Sequence, residues 1–174
     1  MYTPSAFTRA LLVCFLSLSG YLVTAQNYRD TFSAKTSLYA ELGGNGDAYS
    51  LNVDRIVYQD AMFKTALRVG LSSNLFFLEQ ESGVYPVVPV EVSGMLGRYR
   101  KHIEAGLGYT RRFTTEPDLI QNMYFGRVGF RYQQPQGGML VRVGLTPFLS
   151  AEVDRKTPGL TLVPRFAFSI GRSF

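Results

Sequence analysis

Alternation of apolar and polar residues, repeated in eight separate stretches, is the feature that most constrains what this chain can fold into. Leu38, Ala40 and Leu42 alternate with Tyr39 and Glu41, Leu51 and Val53 with Asn52 and Asp54, and Leu67, Val69 and Leu71 with Arg68 and Gly70. The pattern returns at Val88, Val90 and Val92, at Ile103, Ala105, Leu107 and Tyr109, and at Tyr124, Val128, Phe130 and Tyr132. It appears twice more, at Met139, Val141, Val143 and Leu145 and at Phe166, Phe168, Ile170 and Phe174. A period of two sends successive side chains to opposite faces of an extended strand, so each stretch predicts a strand with one apolar and one polar face.

Before the first strand the sequence has a different character. Arg9 precedes the apolar run ALLVCFLSLSGYLV, and Val23 and Ala25 supply the small residues of a cleavage site. Residues 1–25 are predicted to be a secretory signal peptide, cut after Ala25. Ser17, Ser19 and Gly20 interrupt the run, which is short for a retained membrane anchor. The single cysteine, Cys14, falls inside it with Val13 before it, so neither a lipid-modified cysteine nor a disulfide is expected in the mature chain.

Taking 25 residues from 174 leaves 149, enough for one domain. Hydrophobic residues make up 46% of the chain and charged residues 18%, which excludes a disordered chain or a charged coiled coil. No mature stretch reaches 18 consecutive apolar residues, so no helix is expected to span a membrane. Dividing 149 residues among eight strands gives about 19 each, room for a membrane-crossing strand and its connection. Connections at 59–62, 97–100 and 133–137 are short, whereas those at 72–85, 111–121 and 150–160 are long. Short turns at one end and long loops at the other are typical of outer-membrane barrels. The first hairpin is the exception, with Asn45-Gly46 as a tight-turn signal. Pro86, Pro89, Pro147 and Pro164 fall near the long loops, where broken pairing is tolerated.

Alternation alone does not say which face meets lipid, because a soluble ligand-binding barrel has the same period with its apolar face inward. The chain end favours the membrane form. Phe166, Phe168, Ile170 and Phe174 resemble the C-terminal strand by which outer-membrane barrels are recognised for insertion. Tyr49, Tyr58, Phe63, Tyr85, Tyr109, Phe113, Tyr132, Phe148 and Phe174 lie near strand ends, as interfacial girdles require. With the apolar face outward, Glu41, Asp54, Glu91 and Glu104 face inward together with Arg68, Arg127, Arg142 and Arg165. An eight-stranded interior is just wide enough for side chains to fill, so these charges are expected to pair as a polar plug rather than line a pore. Arg131 shares their parity and is expected nearer a rim. Gly70, Gly106, Gly108, Gly129, Gly144 and Gly171 are expected to make room for the arginines.

The segments SLYAELGGNGDAYSLNVDRIV, HIEAGLGY, GRVGFRYQQPQGGMLVRVGLTPFL and FAFSIGRSF resemble a group of small, uncharacterised outer-membrane β-barrel proteins of Gram-negative bacteria, of the eight-stranded OmpA/OmpX-like class. The resemblance implies an all-β, eight-stranded antiparallel up-and-down transmembrane barrel in the outer membrane, and it implies no activity. The domain organisation follows as signal peptide 1–25, a periplasmic lead-in 26–35 and the barrel 36–174.

Enzymatic readings find little in the residues. Lipid A deacylases resemble such a barrel with a His, a Ser and an acid on its surface. Here the one histidine is His102, with Glu104 on the same face and Ser93 on the neighbouring strand, and an esterase would need a hydroxyl within hydrogen-bond reach of the imidazole. Carboxylates at Glu79, Glu81, Glu116, Asp118, Glu152 and Asp154 are dispersed over three loops, so no metal site is expected, and no cofactor. The expected role is that of a non-enzymatic barrel serving envelope structure or loop-mediated surface interaction. The alternatives are a lipid-modifying outer-membrane enzyme and a soluble periplasmic barrel of the lipocalin kind holding an apolar ligand. Expected partners are outer-membrane lipid, the barrel insertion machinery and an extracellular or envelope protein reached through the loops. Leu75, Phe76, Phe77 and Leu78 are the candidate contact, since exposed apolar clusters are uncommon without a partner. The scattered basic residues of an exported chain do not point to nucleic acid.

Overall fold

The computed structural model describes residues 31–73, 84–114, 121–150 and 161–174. The expected signal peptide, the apolar run at 75–78 and the six loop carboxylates lie outside the described residues. Ten strands form one sheet: β1 Thr36–Gly43, β2 Tyr49–Gln59, β3 Phe63–Ser73, β4 Pro86–Arg98, β5 Lys101–Arg112, β6 Asn122–Gln133, β7 Gly138–Leu145, β8 Phe148–Ser150, β9 Thr161–Val163 and β10 Phe166–Ser173. No helix occurs among the described residues.

Strands β1 to β7 pair antiparallel in sequence order, β7 pairs with β10, and β10 pairs with β1, which closes the sheet. The result is an antiparallel barrel of eight staves. The seventh and eighth staves are each in two pieces, because Pro147 and Pro164 bring no N–H to the ladder. Bonding continues around the breaks: Gly126 N–H donates to Pro147 O and Thr146 N–H to Arg165 O. Beyond them β8 pairs with β6 at Phe125↔Phe148 and with β9 at Phe148↔Val163.

The two faces sort by polarity. Leu107 is 75% exposed and Phe166 79%, whereas Glu41, Lys64 and Arg131 are at 0%. The apolar parity therefore looks out and the charged parity looks into the lumen, the reverse of a barrel built to hold an apolar ligand. Outward apolar columns run the length of the wall, for example Leu51 and Val53 on β2, and Phe166, Phe168 and Ile170 on β10.

Two of the aromatics expected in outer girdles turn inward. Phe148 shares the even parity of Arg142 and packs with Met123 and Phe125, and Tyr85 is buried just before β4. At the opposite end Phe32, Ile56, Ala66 and Met95 form a second apolar cluster. The lumen thus has a charged middle between two apolar layers.

Both mouths are covered. Residues 32–35 of the expected lead-in fold onto the short-turn end: Phe32 N–H donates to Gln59 Oε1 at 2.9 Å, Gln59 Nε2 returns a bond to Phe32 O, and Ser33 and Ala34 N–H groups donate to Pro135 O. At the long-loop end the connection after β1 is not a two-residue turn but five residues, 44–48. Gly43, Gly44 and Asp47 all take positive φ there, which bends Asn45 inward over the mouth until it is fully buried. Asn45 Nδ2 donates to Thr146 O, and its carbonyl accepts a bond from Thr110 Oγ1. A side chain at Gly44 would meet Glu41 Oε1 at 2.5 Å as well as straining the backbone.

Candidate functional site

Eight charged side chains from seven strands meet in the middle of the lumen. Arg68 on β3 donates to Glu41 Oε1 at 2.7 Å and Glu91 Oε2 at 2.8 Å, with its Nε held by Asn52 Oδ1 at 2.9 Å. Arg127 on β6 reaches the same two carboxylates, at 2.8 Å to Glu41 and 3.0 Å to Glu91. Arg142 on β7 donates to Glu91 Oε1 at 3.0 Å, to both oxygens of Glu104 and to the Tyr39 hydroxyl. Arg131 on β6 clasps Asp54 with both Nη atoms, at 2.6 and 3.0 Å, and lies 3.9 Å from Glu104.

These contacts form one connected network running from Asp54 through Arg131, Glu104, Arg142 and Glu91 to Arg68, Arg127 and Glu41. Four carboxylates face four guanidinium groups, so the network is neutral, and each member is at most 3% exposed. Neutrality and saturated hydrogen bonding are what make buried charge tolerable, because an unpaired ion inside costs far more than its pair returns. Ser169 Oγ donates to Glu41 at 2.8 Å and Gln133 Oε1 accepts from Arg131 Nε at 2.8 Å, filling remaining positions. The Tyr39 ring lies under two of the cations, 5.1 Å from the Arg142 guanidinium and 5.9 Å from that of Arg68.

Seven of the eight residues expected in the lumen network are brought together. Arg165 is not among them. It has the inward parity but sits above Phe166, beyond the break at Pro164, where it donates to Gly44 O at 3.1 Å and lies over the Phe148 ring at 5.0 Å. Its place is taken by Arg131, which was expected nearer a rim and is instead fully buried. Parity identifies both residues, but depth along the strand depends on where the prolines end the regular ladder.

The inward glycines also serve more than the arginines. Gly171 lies opposite Tyr39 and Gly108 opposite Phe125, and a side chain at either glycine would collide with that aromatic neighbour. At Gly70 the obstacle is Asn52, the residue that holds Arg68 Nε.

His102 and Ser93 are not brought together. In the β4–β5 ladder His102 stands opposite Gly97 and Ser93 opposite Gly106, four residues further on and so roughly 13 Å along the strand. The imidazole is 1% exposed and packs edge-on against the Phe32 ring with centroids 5.4 Å apart, inside the short-turn end. Lys64 Nζ lies over the same Phe32 ring, 5.2 Å from its centroid. Lys64 shares the inward parity of Arg68, whereas Phe32 and Ala34 alternate with Thr31, Ser33 and Lys35 over only five residues, too short a run to show that the segment is held at the lumen by Gln59 and Pro135.

Ends of strands carry a further ion pair that parity alone does not reveal. Arg112 pairs with Asp47 at the long-loop rim, and a cleft of about 460 Å³ opens there beside Tyr85 and Arg165. Comparison with protein-family models, with curated proteins and with solved structures finds no match. Fold and site define the class coarsely: an all-β, closed eight-stranded barrel with a charge-filled lumen.

Proposed function

We propose that this chain is a non-enzymatic integral outer-membrane barrel, exported by its N-terminal signal peptide, that serves envelope structure or presents its long loops to a surface partner. One observation carries the reading: the apolar parity faces out along the wall while the neutral ionic network fills the lumen. Such a wall fits a hydrocarbon surround, in which a closed ladder leaves no strand edge unsatisfied. The filled lumen and the two covered mouths favour a structural or adhesive role over transport. The C-terminal residues Phe166, Phe168, Ile170 and Phe174 are the proposed contact with the insertion machinery; the first three lie on the outward face of β10, and Phe174 follows it, 64% exposed.

Fractionation of cells expressing the full-length chain tests this reading. Expected is recovery in the outer-membrane fraction, with a band that migrates differently before and after boiling. Recovery as a soluble periplasmic protein would overturn it.

A further inference from the structure

Among the described residues, exposed positive charge is confined to one end of the barrel. Lys35, Arg55, Arg98, Arg100, Lys101 and Arg172 are the exposed basic side chains among the described residues, and all six lie toward the short-turn end, where Asp60 is the one exposed acidic side chain described. At the long-loop end Arg112 is paired with Asp47, Arg111 donates to Asn122 and Arg165 to a backbone carbonyl. None of the six has a carboxylate within salt-bridge distance among the described residues.

Four of the six stand in the apolar columns themselves. Arg55 is the next outward residue after Leu51 and Val53, Arg98 comes after Leu96, Lys101 precedes Ile103, and Arg172 follows Phe168 and Ile170. A long basic side chain in that position lays its stem on apolar surface and carries its charge past the edge. Register spreads the cations around the wall. Arg98 faces Lys101 across β4 and β5, whereas Arg55 opposite Thr36 and Arg172 opposite Leu38 flank β1, which lies three staves from β4 and four from β5. A soluble acidic protein would meet one side of such a belt. A lipid leaflet meets all of it.

We propose that this belt binds the phosphate groups of anionic phospholipids in the leaflet bordering the short-turn end. The inference rests on the outer-membrane reading. It specifies the lipid chemistry that the barrel selects and the residues that select it.

Native mass spectrometry of the mature barrel, folded in zwitterionic detergent and titrated with phosphatidylglycerol or phosphatidylcholine, counts the lipids retained. Each cation near a membrane surface adds appreciable attraction to anionic lipid, so the wild type is expected to retain roughly twofold more phosphatidylglycerol than phosphatidylcholine. The pairs Arg98→Gln/Lys101→Gln and Arg55→Gln/Arg172→Gln should each reduce that excess, and the quadruple variant should bring it to parity. Arg111→Gln, at the other end, should leave it unchanged. These side chains are exposed and lack carboxylate partners, so the variants should still fold, which the unboiled gel shift checks. Equal retention of the two lipids by the wild type, or an undiminished excess in the quadruple variant, overturns the lipid inference alone. A wild-type chain that inserts into neither micelles nor vesicles overturns the outer-membrane reading and this inference with it.

Discussion

Asp54 and Arg131 join opposite walls of the barrel: they lie on β2 and β6, four staves apart in a ring of eight, and meet through two bonds of 2.6 and 3.0 Å. A bidentate pair with this span acts as a crossbrace, since neither strand can move outward without separating both bonds. Replacing one partner leaves the other as an uncompensated buried charge, at a cost of about 3 to 5 kcal/mol. In a double-mutant cycle of Asp54→Ala and Arg131→Ala, followed by unfolding in detergent, the double variant should cost clearly less than the two single losses together. Additive losses would remove the brace.

Arg142 joins three partners in the lumen: Glu91, Glu104 and the Tyr39 hydroxyl. Arg142→Leu removes both close bonds to Glu104 and one of the three cations around Glu91, leaving the buried network with an excess negative charge, and is expected to lower the unfolding temperature, with a loss of about 3 to 5 kcal/mol. Arg142→Lys should recover only part of it, because an ammonium group is a point donor and cannot serve three partners in a planar fork. An unchanged melting curve for Arg142→Leu would count against the ionic filling.

Which residues face the lumen was legible in the sequence because a period of two is local: Glu41, Asp54, Arg68, Glu91, Glu104, Arg127 and Arg142 follow from parity. How deep each lies is set by events that parity does not encode. Pro164 ends the ladder just before Arg165, and the whole of β6 continues regularly through Arg131, so the two arginines exchange their expected places. The lead-in was illegible for a different reason. Phe32 is held by bonds to Gln59, 27 residues away, and Ser33 and Ala34 by bonds to Pro135, about 100 residues away, while the alternation of their own segment spans only five residues. Strand count was read correctly as eight staves, with the broken seventh and eighth explained by the same prolines that were seen near the long loops.

Arg165 provides the contrast to Arg142. Its guanidinium donates to a carbonyl oxygen and touches no carboxylate in the network, so Arg165→Gln strands no buried charge. The expected loss of stability is about 0.5 kcal/mol, as for an ordinary surface change. A loss as large as that of Arg142→Leu would place Arg165 inside the network.

Gly171 is held to a hydrogen side chain by Tyr39, its cross-strand neighbour on β1, whose ring supports both Arg142 and Arg68. Gly171→Val would drive a branched side chain into the Leu38 carbonyl oxygen and the Tyr39 Cβ and Cα, and so push on the strand that carries the hydroxyl Arg142 donates to. Overpacking of this kind costs about 1 to 3 kcal/mol. Because alanine keeps those atoms, Tyr39→Ala should recover none of the loss, and unfolding in detergent that finds Gly171→Val/Tyr39→Ala more stable than Gly171→Val would place the obstacle in the ring instead.

Phe32 tests whether the short-turn end is sealed by the lead-in or by the network beneath it. Its ring packs on Ile56, Ala66 and Met95 and against His102, so Phe32→Ala opens a gap in the lower apolar layer and is expected to cost about 3 kcal/mol. The ionic network lies above that gap and remains filled. Planar-bilayer conductance should therefore stay at background in Phe32→Ala, even as the unfolding temperature falls. A conducting Phe32→Ala barrel would mean that the lead-in, rather than the eight paired charges, closes the lumen.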